Sequence, residues 1–164
     1  MKEVFSVIIL HYNQPDYLYT AIDSVLAQSY PAIQLIFSDD GSLDFSVENI
    51  ERYIHEKKQK NIIDFKVIRH QKNVGTVKNL NEAYSQCIGK YVLQFAADDA
   101  LYDSEVLAQF SRALNNVSKE TIGVFARSLD CDENLVWTGK EYLAPDKAEY
   151  FSLLTAEEQY RKFI

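Results

Sequence analysis

The chain has 164 residues, 47% of them hydrophobic, with 24 acidic side chains against 17 basic ones and a net charge of -7. This length and apolar content support one sizeable core, so a single domain over residues 1–164 is expected. The acidic balance argues against a nucleic-acid partner, which requires clustered Lys and Arg to meet phosphate backbones. Cys87 and Cys131 are too few for a disulfide framework and lack CxxC spacing, which fits a reducing cytoplasm. The apolar run nearest the start, Val7 to Leu10, is too short for a transmembrane segment or an export signal. A cytoplasmic location is expected, and if the protein works at a membrane, at a membrane-associated acceptor, it is recruited to the inner face or anchored there by residues outside this chain.

Apolar runs alternate with longer segments of helical period, the pattern of an α/β fold whose mostly parallel sheet is flanked by helices on both faces. The first strand is expected over Val4 to Leu10 and is broken by the polar His11-Tyr12-Asn13-Gln14. Pro15-Asp16 then opens a helix with Leu18, Ile22, Val25 and Leu26 on one face, ended by Tyr30-Pro31. A second strand, Ile33 to Phe37, runs into Ser38-Asp39-Asp40-Gly41-Ser42, a turn in which Gly permits positive φ and Asp and Ser suit helix capping. A helix over Ser46 to Lys58 buries Val47, Ile50, Tyr53 and Ile54, and a short strand covers Asp64 to Arg69. The loop His70 to Gly75 leads to a helix from Thr76 to Ile88, with Gly89 as its C-terminal stop. The strand Tyr91 to Phe95 delivers Asp98-Asp99, and a helix over Asp103 to Asn115 is capped by Asp103 or Ser104, with Glu105 in its first turn. Thr121 to Leu129 and Asn134 to Thr138 read as a hairpin turning over Asp130 to Glu133, and a terminal helix is expected over Thr155 to Phe163.

Three polar clusters therefore follow strands: His11-Tyr12-Asn13, Asp39-Asp40-Gly41-Ser42 and Asp98-Asp99. In an open parallel sheet the carboxyl ends of the strands share one edge, so these clusters converge on one crevice. Asp98 and Asp99 repel each other at the mouth of an apolar strand, and a divalent cation holding a phosphate offsets both the repulsion and the lost hydration.

The blocks Ser6 to Asn13, Ala21 to Pro31 and Asp39-Asp40-Gly41-Ser42 resemble the opening of family 2 glycosyltransferases of GT-A type. Asn73-Val74-Gly75, Asn81, Gly89-Lys90-Tyr91 and Ala96-Ala97-Asp98-Asp99 continue that pattern in order, so the resemblance covers residues 4 to 128. It implies a Rossmann-like GT-A fold forming the N-terminal, nucleotide-sugar-binding portion of a longer enzyme. Such an enzyme transfers a sugar from a nucleoside-diphosphate sugar, here a UDP-sugar by preference, to an acceptor hydroxyl with inversion. Carried onto this chain, the resemblance gives Asp40 the base, with Asp39 beside it, and places Leu10 and Tyr12 along the nucleotide pocket. Asp98 falls to the ribose or metal and Asp99 to the metal, Mn²⁺ or Mg²⁺.

The chain departs from the family pattern at three places. Ala96 stands where many relatives carry an acidic residue, and Leu80 where they carry Arg, so Lys78 reads either as the substitute for the diphosphate or as part of a solvated helix face. The general base is expected beyond Ile164, since Asp130, Asp132 and Glu133 read as a polar turn. Two other functions fit post-strand carboxylates: a noncatalytic nucleotide-binding domain, and a Mg²⁺-dependent nucleotidyl or phosphoryl transferase. The second lacks both a Gly-rich Lys-Ser/Thr phosphate loop and a GxGxxG fingerprint. Of the other candidates, His11 reads as either a donor contact or a histidine bonded to nearby backbone, and His55 and His70 as surface residues. Trp137 reads as core or interface, Tyr102 as a possible pocket wall, and Cys87 as a buried, inert thiol.

Overall fold

The computed structural model describes residues 3–142, apart from 119 and 122. The helix expected over Thr155 to Phe163 lies outside the described residues. Two compact units form, one up to Ser111 and the other from Arg112 onward.

The first unit is built on a four-stranded parallel sheet in the order β3-β2-β1-β4, from β1 (Phe5–His11), β2 (Ile33–Asp39), β3 (Ile62–Arg69) and β4 (Tyr91–Ala96). Strands β1 and β2 are buried along almost their whole length, as two-sided strands in the middle of a parallel sheet must be. Because successive side chains point to opposite faces, Ile8 of β1 and Ile36 of β2 face one side, where they pack on Ala83. Ala83 belongs to α3 (Thr76–Ser85), which packs against β1 and β2. Val7, Ile9, Leu35 and Phe37 face the other side, where α1 (Leu18–Leu26) and α2 (Val47–Lys57) pack against each other and the sheet. Each fully buried Ile contributes roughly 1.5–3 kcal/mol by leaving water.

The sheet extends two residues further than the apolar pattern of β2 indicates. Ser38 and Asp39 remain paired with β1 and β3 because Ser38 bonds to Asn79 and Asp39 to His11, so their polar groups are satisfied inside the sheet. Ser46 caps α2 by accepting from the Asn49 amide at 3.2 Å. The third helix ends at Ser85, earlier than Ile88, and Gly89 is no helix stop. Its amide donates to Ser6 Oγ at 2.9 Å, and a Cβ there would lie 2.5 Å from the Ser6 nitrogen, so only glycine lets this crossing reach the start of β1. Helix α4 (Val106–Asn115) begins three residues later than expected. The Asp103 carboxylate accepts from the Glu105 amide at 2.8 Å, making a turn ahead of the helix.

In the second unit, β5 (Ser128–Cys131) and β6 (Trp137–Tyr142) form an antiparallel hairpin. Of the described residues in the expected strand Thr121 to Leu129, only Ser128 and Leu129 pair. Asp132 makes the turn, accepting from the Asn134 and Val136 amides at 2.9 Å each, which agrees with a polar-turn role for this acidic segment. Trp137 is exposed here, its ring N–H donating to the Lys140 carbonyl, and so is not core.

Candidate functional site

Strand order reverses between β1 and β4: the chain passes from β1 outward to β2 and β3, then returns to β4 on the other flank of β1. Open α/β sheets take ligands at such a reversal, outside the carboxyl ends of the strands. A cavity of about 140 Å³ opens there. Leu10, His11, Tyr12 and Gln14 line it from β1 and the following loop, Asp40 from the end of β2, Thr76 and Asn79 from α3, and Ala96 from the end of β4. Tyr12 is half exposed and free to cover a planar ligand.

The two neighbouring carboxylates after β2 have different surroundings. Asp39 is fully buried and does not line the cavity. One of its oxygens takes the Ser42 hydroxyl at 2.5 Å and His11 Nδ1 at 2.8 Å, while the other accepts the Gly41 and Ser42 amides at 3.1 and 3.0 Å. Burial alone raises its carboxyl, but the bonds from His11 and Ser42 prevail and hold it below the usual carboxylate range. Its direct role is to shape the turn rather than to meet a ligand in the cavity. Asp40 faces the cavity and also ties two segments together, accepting from the Val74 amide at 2.7 Å and the Gly75 amide at 3.0 Å. Each of its oxygens keeps a lone pair for a further donor.

Gly41, at φ +78°, makes that approach possible, since a Cβ would sit 2.4 Å from the Lys72 carbonyl carbon. The clamped loop ends at Gly75, φ +89°, which begins α3 with no side-chain cap. The first amides of α3 are thus left without an intrahelical or side-chain partner at the cavity wall, where negative charge is favoured. Lys78 is exposed on the first turn of α3 and lies outside the cavity lining, because the helical period turns Thr76 and Asn79 inward instead.

Asp98 and Asp99 follow β4 in a turn closed by the Asp99 amide bonding to the Ala96 carbonyl at 2.9 Å. The Ala97 amide donates to the Leu10 carbonyl at 2.8 Å, so the acidic turn is tied directly to the cavity strand β1. The loop beyond it is pinned to α1. Ser24 Oγ accepts the Leu101 amide at 3.1 Å, and Gln28 bridges the Asp103 carbonyl and the Leu107 amide at 2.5 and 3.0 Å. Both acids are exposed residues. Even so, partial desolvation of its carboxyl, followed by repulsion from Asp98, raises the Asp99 pKa above the usual value. Among the described residues no group of three or more His, Cys, Asp or Glu side chains gathers to hold a metal, so this pair alone amounts to a partial ligand set.

The family model for glycosyl transferase family 2 matches residues 6–160. The chain belongs to glycosyl transferase family 2. Among curated family members, the glycosyltransferase GlyG of Streptococcus pneumoniae is 24% identical over 90% of this chain and 48% of its own length. An uncharacterized glycosyltransferase of Haemophilus influenzae is 31% identical over 93% of the chain and 60% of its own length. The chain therefore spans about half the length of these relatives. Of solved structures, S. aureus TarS 1-349 in complex with UDP-GlcNAc superimposes with TM-score 0.59 and 27% identity over 68% of this chain and 31% of that one. The mannosyltransferase PcManGT from Pyrobaculum calidifontis superimposes with TM-score 0.61 at 20% identity, a likeness of fold.

Of the residues expected to contact a nucleotide, the cavity gathers Leu10, Tyr12 and Asp40, and the acidic pair leaves the same sheet edge. Tyr102 is 80% exposed and does not line it. The cavity lining adds Gln14, Thr76 and Asn79. Asn79 is buried, its carboxamide exchanging bonds with the Ser38 hydroxyl at 2.5 Å and carbonyl at 3.3 Å. A polar residue at an inward helical position opposite Ser38 was the available sequence signal. His70 is not a surface residue: its side chain is 11% exposed, with Nε2 unbonded 3.7 Å from Glu82. Cys87 is half-buried and burial raises its thiol pKa, in keeping with an inert role.

Proposed function

We propose that the chain is the donor-binding part of a metal-dependent, inverting glycosyltransferase that takes a nucleoside-diphosphate sugar. The observation that carries this reading is the cavity at the β1 and β4 strand ends, where Asp40, Leu10 and Tyr12 converge beside the acidic turn. Asp40 accepts a ring N–H of the base, and Leu10 and Tyr12 supply apolar contact to its faces. The uncapped first turn of α3, reached through Thr76, favours the diphosphate, with Lys78 adding long-range attraction from its exposed position. UDP is the favoured nucleotide, in line with the TarS complex.

Asp98 and Asp99 are the residues for a divalent metal. Two crowded carboxylates, one of them held above its usual pKa, suit a Mg²⁺ or Mn²⁺ site completed by phosphate oxygens and water, which requires only one or two protein carboxylates. Bound there, the metal would neutralise charge gathering on the departing nucleoside diphosphate. Asp98 also lies close enough in sequence to the end of β4 to serve the ribose. Both cysteines are free, which suits a reducing cytoplasm, and no helix among the described residues is long and apolar enough to cross a membrane.

Calorimetric titration of UDP, GDP and TDP, each with Mn²⁺, Mg²⁺ or EDTA, tests the reading. Binding of one diphosphate that tightens at least tenfold with metal supports it, and the absence of binding by all three in either metal overturns it.

A further inference from the structure

We infer that His11, as a neutral imidazole protonated at Nδ1, is a positioning residue that sets the Tyr12–Gln14 wall of the cavity, and that its protonation releases this wall. His11 is 4% exposed, with its ring 5.5 Å from those of both Phe37 and Phe45. Each ring nitrogen has a distinct partner. Nδ1 lies 2.8 Å from the Asp39 carboxylate and 3.4 Å from Ser42 Oγ, whose own hydrogen goes to Asp39, so Nδ1 must supply the proton. Nε2 accepts the Gln14 backbone N–H at 3.3 Å, so in this geometry it carries none.

The same contact joins two walls of the cavity. Asp39 holds the Gly41 and Ser42 amides of the turn after β2, and Ser42 Oγ accepts the Asn13 amide at 2.8 Å. Asn13 sits at φ +52°, and its side-chain oxygen accepts the Leu43 amide at 3.3 Å. The loop after β1 is thus tied to the turn at Asn13 through Ser42, and at Gln14 through the imidazole. A second proton on His11 would set an N–H against the Gln14 N–H, so that tie must break and Gln14, a cavity-lining residue, must move. The charged and titratable groups around the ring are Asp39 from β2, Arg69 from β3 with Nε 3.9 Å from Asp39, Asp40 after the strand, and Tyr12 on the His11 loop. The Gln14 tie exists only while Nε2 carries no proton, so the protonation state of His11 reports directly on whether the wall is seated.

This inference rests on the nucleotide reading for its consequence, although the coupling can be measured without ligand. Nitrogen-15 NMR of the whole chain reads the His11 tautomer and the Gln14 amide between pH 8 and 5.5. The expected result is an unprotonated Nε2 at pH 8 and a Gln14 amide shift that titrates with the ring. In parallel, UDP with Mn²⁺ is titrated into the parent and His11→Asn, whose shorter amide can keep the Asp39 bond but cannot reach Gln14. The parent should bind about fivefold tighter at pH 8, the value of one hydrogen bond, with the ratio falling to about one at pH 5.5. Taking the ratio cancels the titration of the diphosphate itself. An imidazolium or an Nε2–H tautomer at pH 8, a Gln14 amide that ignores the ring, or a ratio independent of pH would overturn the inference. If neither protein binds UDP, the nucleotide reading fails, and the NMR titration still decides the coupling.

Discussion

Asp39 and Asp40 are adjacent and chemically identical, and burial on opposite sides of the chain gives them opposite duties. Asp39 is held charged by His11, Ser42 and two amides, so its folded pKa lies below its unfolded one. It contributes stability that is present above the ordinary carboxylate range and is lost as pH falls through the lowered folded value. Asp39→Asn should cost about 3 kcal/mol in urea unfolding at pH 7 and flatten the acid limb of the stability curve. Asp40→Asn should weaken UDP binding roughly tenfold even in EDTA, because it removes a charge-assisted acceptor. Asp99 has the opposite sign. Its raised folded pKa means that its charge opposes folding above that pKa and ceases to do so below it. Asp99→Asn should therefore leave metal-free stability at neutral pH unchanged or higher by up to about 0.5 kcal/mol, while abolishing the metal-dependent part of UDP binding. A variant that lost stability and binding together would show Asp99 to be structural.

At the level of elements, sequence periodicity was legible where burial is one-sided or complete, as in β1, β2 and the apolar stripe of α1. It failed where polar residues are satisfied inside an element. Ser38 and Asp39 read as a turn yet complete β2, because Asn79 and His11 lie opposite them. Lys78 carries the expected charge for a diphosphate, but the phase of α3 turns Asn79 to the cavity in its place. Gly89 was misread as a helix stop for a similar reason, since sequence shows a glycine's freedom and not its neighbours, whereas Gly41 adopts the positive φ its turn suggested. Gly41→Ala should cost about 2–3 kcal/mol, adding left-handed strain to a 2.4 Å clash with backbone, and should weaken nucleotide binding by lifting the Lys72–Gly75 loop off Asp40. Gly75→Ala, at φ +89° and ψ 149° in a region essentially reserved for glycine but with nothing within 4 Å, should cost about 1–2 kcal/mol from backbone strain alone. Equal unfolding midpoints for these two variants would contradict the close packing of the loop.

On the scale of the whole molecule, the strand order places the site. Four strands in the order β3-β2-β1-β4 put the reversal beside β1, and clusters separated by up to 88 positions, His11 to Asp99, then share one edge. This convergence was readable from three polar clusters after three apolar runs. The depth of Asp39, the inward turn of Asn79 and the burial of His70 were not, because each depends on which residue a neighbouring element presents. Family membership and the fold support the proposed glycosyl transfer, while the donor and metal assignments rest on the cavity and its acidic turn. The most direct measurement is calorimetric titration of UDP into the parent chain and Asp99→Asn, each with Mn²⁺ and with EDTA. The account predicts parent binding that tightens at least tenfold with Mn²⁺ and a variant indifferent to the metal. Equal tightening by Mn²⁺ in both proteins would contradict it.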